Sequence, residues 1–86
     1  MPLYLTSHSL ACLTRQGAEE LVKILWKPSP VTPVRVMVNL TEGKMFAEFE
    51  AADREAAERW LTELGFHRDW LVRLELESNG HGLRVL

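Results

Sequence analysis

The stretch VRVMVNLTEGKMFAEFE, residues 34–50, decides how the rest of this chain can be arranged. Val34, Val36, Val38 and Leu40 alternate with Arg35, Met37 and Asn39, the two-residue period of a strand with one buried face. Thr41, Glu42, Gly43 and Lys44 break that pattern, with Gly43 placed to take a positive φ, and residues 45–50 return as an antiparallel partner. If Leu40 faces Met45, the register sets Met37 opposite Glu48 and Arg35 opposite Glu50, an opposite-charge cross-strand pair.

On the N-terminal side, residues 3–8 read as a strand, and Thr14 is a good N-cap for the helix that follows. Ala18, Leu21, Val22 and Leu25 lie on one helical face, which must pack on something. The segment KPSPVTP, with three prolines, ends that helix and forms a stiff connector into the hairpin. On the C-terminal side, Asp53 can cap a second helix whose apolar stripe is Ala56, Ala57, Trp60, Leu61 and Leu64. Gly65 stands where a left-handed C-cap is expected. In the last strand, WLVRLELE, Trp70, Val72, Leu74 and Leu76 oppose Leu71, Arg73, Glu75 and Glu77. Trp60 and Trp70 are expected in the core, and Trp26 closes either the core or an interface.

The order is therefore strand, helix, strand, strand, helix, strand. Right-handed crossovers and the central hairpin then favour a four-stranded antiparallel sheet in spatial order 4-1-3-2 with both helices on one face. This is the ferredoxin-like α+β sandwich, here one domain spanning residues 1–86. Residues 78–86 form a C-terminal tail whose turn signals precede four residues able to make a short edge strand or touch a second subunit.

Composition narrows the function classes. The 86 residues are 47% hydrophobic and 26% charged, an ordinary globular balance with room for one modest core. A net charge of -2, with basic residues scattered singly, argues against nucleic acid as the main partner. One cysteine, Cys12, excludes an intrachain disulfide and fits a reducing cytoplasm; it is expected to behave as a small hydrophobe. No run approaches the roughly 20 apolar residues that cross a bilayer, and the start of the chain has no signal-peptide pattern. Neither secretion nor membrane insertion is expected. Gly-rich phosphate loops, HExxH and HxH pairs and Ser/His/Asp orders are all missing from the sequence, so hydrolase and kinase readings have no support.

Helices cover one side of such a sheet, so the residues on the other side decide what the domain meets. Simple alternation puts Tyr4, Thr6 and His8, then Arg35, Met37 and Asn39, on that open face. Phe46, Glu48 and Glu50, with Leu71, Arg73, Glu75 and Glu77, complete it. Its apolar members and its two-signed charges suit a second copy of the same face, two sheets stacking about 10 Å apart in a homodimer. On this placement His8 is either a metal ligand, joined by the partner's histidine and by Glu48, His67 or His81, or a polar residue bonded to a neighbouring group. Tyr4, Glu48 and Arg73 either grip a small polar ligand or form charge pairs that orient the dimer.

The motifs YLTSHSL at the start, FAEFEAAD after the hairpin turn and LGFHRDWLV before the last strand resemble small ferredoxin-like domains, related to the dimeric α+β barrels, that include a bacterial nickel-binding protein. The resemblance runs over residues 3–77. It implies a dimeric α+β domain and a metal role for His8, which matches the histidine closing that family's first strand. Where members commonly carry a thiol and an apolar residue in the third strand, this chain has Ala47 and Glu48, and Ala52 replaces a turn proline. Two functions follow as expectations. The first is a non-catalytic homodimer that binds nickel, another transition metal or a small polar ligand between the sheets. The second is a cofactor-independent monooxygenase or isomerase with Tyr4, His8 or Glu48 as acid or base; the shared architecture does not choose between them.

Overall fold

In the computed structural model, which describes residues 1–86, the hairpin stands at one side of a four-stranded sheet. Its strands β2 (Thr32–Asn39) and β3 (Lys44–Glu50) are followed across the sheet by β1 (Leu3–Ser9) and β4 (Trp70–Leu74), every pair antiparallel. The order β2-β3-β1-β4, with helices α1 (Arg15–Leu25) and α2 (Arg54–Leu64), is the ferredoxin-like arrangement that the sequence predicts. The hairpin register differs from the expected one by two residues. Arg35 lies opposite Glu48, Met37 opposite Phe46 and Val38 opposite Met45. Leu40 leaves the ladder because the loop closes through Gly43, whose φ is 65° and whose carbonyl accepts from the Leu10 N–H at 2.8 Å. A slip of two preserves which side chains share a face, so the charge pair survives with Glu48 in place of Glu50, Nε to Oε1 at 3.1 Å. Val34 is an extra residue in β2, inserted between the Pro33 and Arg35 pairings, next to a proline that cannot donate to the ladder.

Both helices begin and end as their capping residues dictate. Thr14 Oγ1 accepts from the Gly17 N–H at 3.0 Å, and Asp53 Oδ1 accepts from Ala56 N–H at 2.7 Å. Gly65 closes α2 in the left-handed region, with φ of 74°. The helices deliver Leu25, Ala57, Trp60 and Leu61 onto Met45, Ala47 and Phe49 of β3. Phe49 is the hub, with Trp60 at a ring-centroid distance of 4.8 Å and Tyr4 stacked at 6.0 Å.

Tyr4, Thr6 and His8 belong to this helix-covered side and are buried, contrary to their expected place on the open face. Cross-strand pairing carries the correction to β4. Thr6 faces Leu71 and Tyr4 faces Arg73, so Leu71 enters the core and Trp70 is turned outward, 42% exposed. A one-residue change of phase moves every side chain of a strand to the other face. Glu75 and Glu77 lie beyond β4 altogether. The tail pairs with β5 (Leu76–Glu77) through β6 (Arg84–Val85) in a separate two-stranded ribbon, closed by an Arg84–Glu77 ion pair.

Gly43 and Gly65 both hold positive φ, but only Gly43 is crowded: a Cβ there would stand 2.6 Å from the Leu10 carbonyl oxygen. Gly43→Ala and Gly65→Ala should each lose roughly 1–2 kcal/mol for the left-handed backbone, and Gly43→Ala should lose distinctly more. Urea unfolding followed by circular dichroism checks this; equal losses would show that the loop moves away from Leu10 at no cost.

Candidate functional site

His8 ends the buried row of β1 and is 1% exposed. Its Nδ1 lies 2.7 Å from the backbone carbonyl of His67, which can only accept, so Nδ1 carries the proton. The neutral ring then offers Nε2 as an acceptor, and the Thr6 hydroxyl donates to it at 2.8 Å. Phe66 meets the ring edge-on at 6.0 Å. Burial pushes the imidazole pKa below its ordinary 6.5, and this outweighs the carbonyl bond and the charge of Asp69, which raise it; Arg68 and His67 lower it further. A cleft of about 270 Å³ runs past His8 between Leu21 of α1, Leu64 of α2 and Phe66. As it stands in the fold, neither ring nitrogen has a free lone pair for a metal or a substrate proton.

The other candidate residues divide between two sites. Tyr4 and Arg73, opposite one another on β1 and β4, share a cleft of about 360 Å³ with Pro2, Ala52, Asp53 and Arg54 at the start of α2. Glu48 is on the other side of the sheet, between Arg35 and Leu5, and does not join them. The structure therefore brings together two of the three proposed ligand residues and separates the third. Arg54 completes the Tyr4 cleft and was not among the expected site residues; its only signal in the sequence was its place next to the helix cap.

The open face is built from Leu3, Leu5 and Ser7 of β1, Arg35 and Met37 of β2, Phe46, Glu48 and Glu50 of β3, and Trp70, Val72 and Leu74 of β4. Ser7 lies in one row with Phe46 and Trp70, whose rings approach to 6.3 Å, and it is buried although it points to the uncovered side. The two rings roof over the small serine between them. At one end of the face Asp69 Oδ2 accepts from Ser9 Oγ at 2.7 Å and from Ser7 Oγ at 3.3 Å, with Lys44 Nζ at 3.6 Å. The Ser9 bond, more than the Lys44 charge, holds the Asp69 carboxyl below its usual range, while partial desolvation opposes it.

The remaining sequence candidates stay apart. His67 and His81 are exposed, and His67 contributes only its carbonyl to His8. Cys12 is exposed at a φ of 55° and not a core residue. No three His, Cys, Asp or Glu side chains gather where they could hold a metal ion within one chain. No helix is long and apolar enough to cross a membrane.

The buried His8 makes a pH prediction with a definite sign. Its folded pKa lies below the unfolded value of about 6.5, so on acidification the unfolded chain takes up the proton first and stability falls with pH below that point. Urea unfolding between pH 7.5 and pH 5 should show this loss, and His8→Gln should remove most of that slope. An unchanged slope in the variant would assign it to other groups.

No protein-family model matches the chain, and no curated protein matches it. Among solved structures, the crystal structure of SCO4226 from Streptomyces coelicolor A3(2) is similar to it, with a TM-score of 0.76 and 15% sequence identity over 88% of this chain and 99% of that one. At that identity the likeness shows a shared α+β fold.

Proposed function

We propose that this chain is a non-catalytic binding protein that works as a homodimer, two copies meeting through their open sheet faces. The observation that carries the reading is the makeup of that face. Leu3, Leu5, Met37, Phe46, Trp70, Val72 and Leu74 are continuous across four strands, and the one central carboxylate, Glu48, is already neutralised by Arg35. An apolar sheet face whose central charges are paired, with Glu50 left at its edge, suits burial against an identical copy about a two-fold axis. Its basic residue Arg35 is held by Glu48, so the face offers no basic cluster for nucleic acid, and a cytoplasmic setting belongs to the same proposal.

Two ligand classes fit the binding role. A small polar molecule is supported by the meeting of Tyr4 and Arg73 in one cleft. A transition-metal ion, nickel by the resemblance, would need His8 to give up Thr6 or the His67 carbonyl and the second copy to supply further donors, so the geometry favours the polar molecule. The catalytic alternative, a monooxygenase or isomerase, has one observation in its favour, the apolar cleft along His8, and lacks a free nitrogen there to move a proton.

Native mass spectrometry of tag-free protein with and without equimolar nickel tests both halves. The expected result is a dimer that retains no nickel, and a monomer when Trp70→Asp places a charge in the face. A monomeric parent protein would end the dimer reading. Stoichiometric nickel that disappears in His8→Ala would replace the polar-ligand reading with the metal one.

A further inference from the structure

We propose that the cleft at the start of α2 binds a small monocarboxylate, with the Tyr4 hydroxyl and the Arg73 guanidinium as its donors. This names the ligand class of the binding reading above; it rests on that reading's claim that the chain binds a polar molecule and is independent of the dimer.

Tyr4 carries most of the argument. Its side chain is in the core, 3% exposed and stacked on Phe49, yet its hydroxyl has no hydrogen-bond partner in the protein. Buried phenols nearly always find one. No fully enclosed polar side-chain atom in the molecule lacks a partner, so this hydroxyl is open to solvent, and the cleft that Tyr4 lines is where a ligand would meet it.

The surroundings select an anion. Arg15, Arg35, Arg54, Arg68 and Arg84 are each paired with a carboxylate, whereas Arg59, out on α2, and Arg73, beside Tyr4 in the sheet, are paired with none. Helix α2 points its N-terminus at the same space. Asp53 takes up the N–H of Ala56 through its side chain and that of Ala57 through its carbonyl, which leaves the N–H groups of Arg54 and Glu55 without helical partners.

Charge and shape then narrow the class. Glu58 takes up Arg54, so Arg73 is the one cation in the cleft without a carboxylate partner; it matches a single negative charge, and a dianion is repelled by Asp53. A guanidinium fork fits the planar, two-oxygen carboxylate. Pro2 and Ala52 supply the apolar wall for a short stem.

The test is a titration of the full chain with sodium acetate, followed by NMR on the backbone amides and the arginine Nε–H groups, against sodium chloride and sodium phosphate at equal ionic strength. Acetate should give saturable shifts confined to residues 52–56, Tyr4 and Arg73. Tyr4→Phe keeps the ring and its stack on Phe49, and Arg73→Gln changes an exposed residue; each should weaken acetate about tenfold, the loss expected for one hydrogen bond to a charged group. Shifts that do not saturate, that chloride reproduces or that both variants retain would overturn the site. Phosphate binding more tightly than acetate would overturn the carboxylate assignment. Sedimentation of the same samples reports the dimer separately: a monomer that binds acetate sustains this inference and ends the dimer reading, and a dimer that ignores acetate does the reverse.

Discussion

The fold depends on how β1 buries a histidine. Tyr4, Thr6 and His8 form one row beneath the helices, and a polar row in a core is costly unless its groups are satisfied. His8 solves this in its neutral form, giving its one proton to the His67 carbonyl and accepting the Thr6 hydroxyl on the other nitrogen. Leaving any of these groups alone in the interior would cost about 1–3 kcal/mol. The same bond ties the loop after α2 to β1, where the Asp69 N–H also reaches the Ser7 carbonyl at 2.7 Å. Entry into β4, and with it the register of the sheet edge, is set from this corner.

Once β1 turns that row inward, alternation gives the open face Leu3, Leu5 and Ser7, and pairing gives it Trp70, Val72 and Leu74. That exchange makes the uncovered side more apolar than the one that simple alternation predicts. It also explains why a serine stands in the middle of it. Phe46 and Trp70 meet only because the residue between them is small, and their rings cover a hydroxyl that is bound to Asp69.

Much of this was legible in the residues. The hairpin, both helix caps, the left-handed Gly65 and the strand order follow from local patterns that the structure repeats. The face of β1 was not legible, because LYLTSHS has large side chains in both phases and its more polar phase is the buried one. What pays for that burial is a backbone carbonyl 59 residues away, and a carbonyl has no signature in a sequence. The error then passed to β4. Trp70, Val72 and Leu74 form the more apolar phase, yet register with β1 obliges Leu71 to enter the core. Arg35 found the right kind of partner at the wrong position, since the loop length that sets the register depends on the contact between Gly43 and Leu10.

The two ends of the buried row handle polarity in opposite ways, and this separates the candidate chemistries. At the His8 end every donor and acceptor is matched inside the protein, so a ligand there must compete with bonds of 2.7 and 2.8 Å that also hold the loop. At the Tyr4 end the hydroxyl has no partner in the protein, and Tyr4 lines a cleft with an unpaired arginine and a helix N-terminus, so a ligand there would compete with no internal bond of the tyrosine. A closed polar network stabilises the fold, whereas an open one is available for recognition. The residue type that drew attention first, the histidine, is thus the one most fully engaged by the fold, and the tyrosine four positions before it is the one with binding capacity to spare.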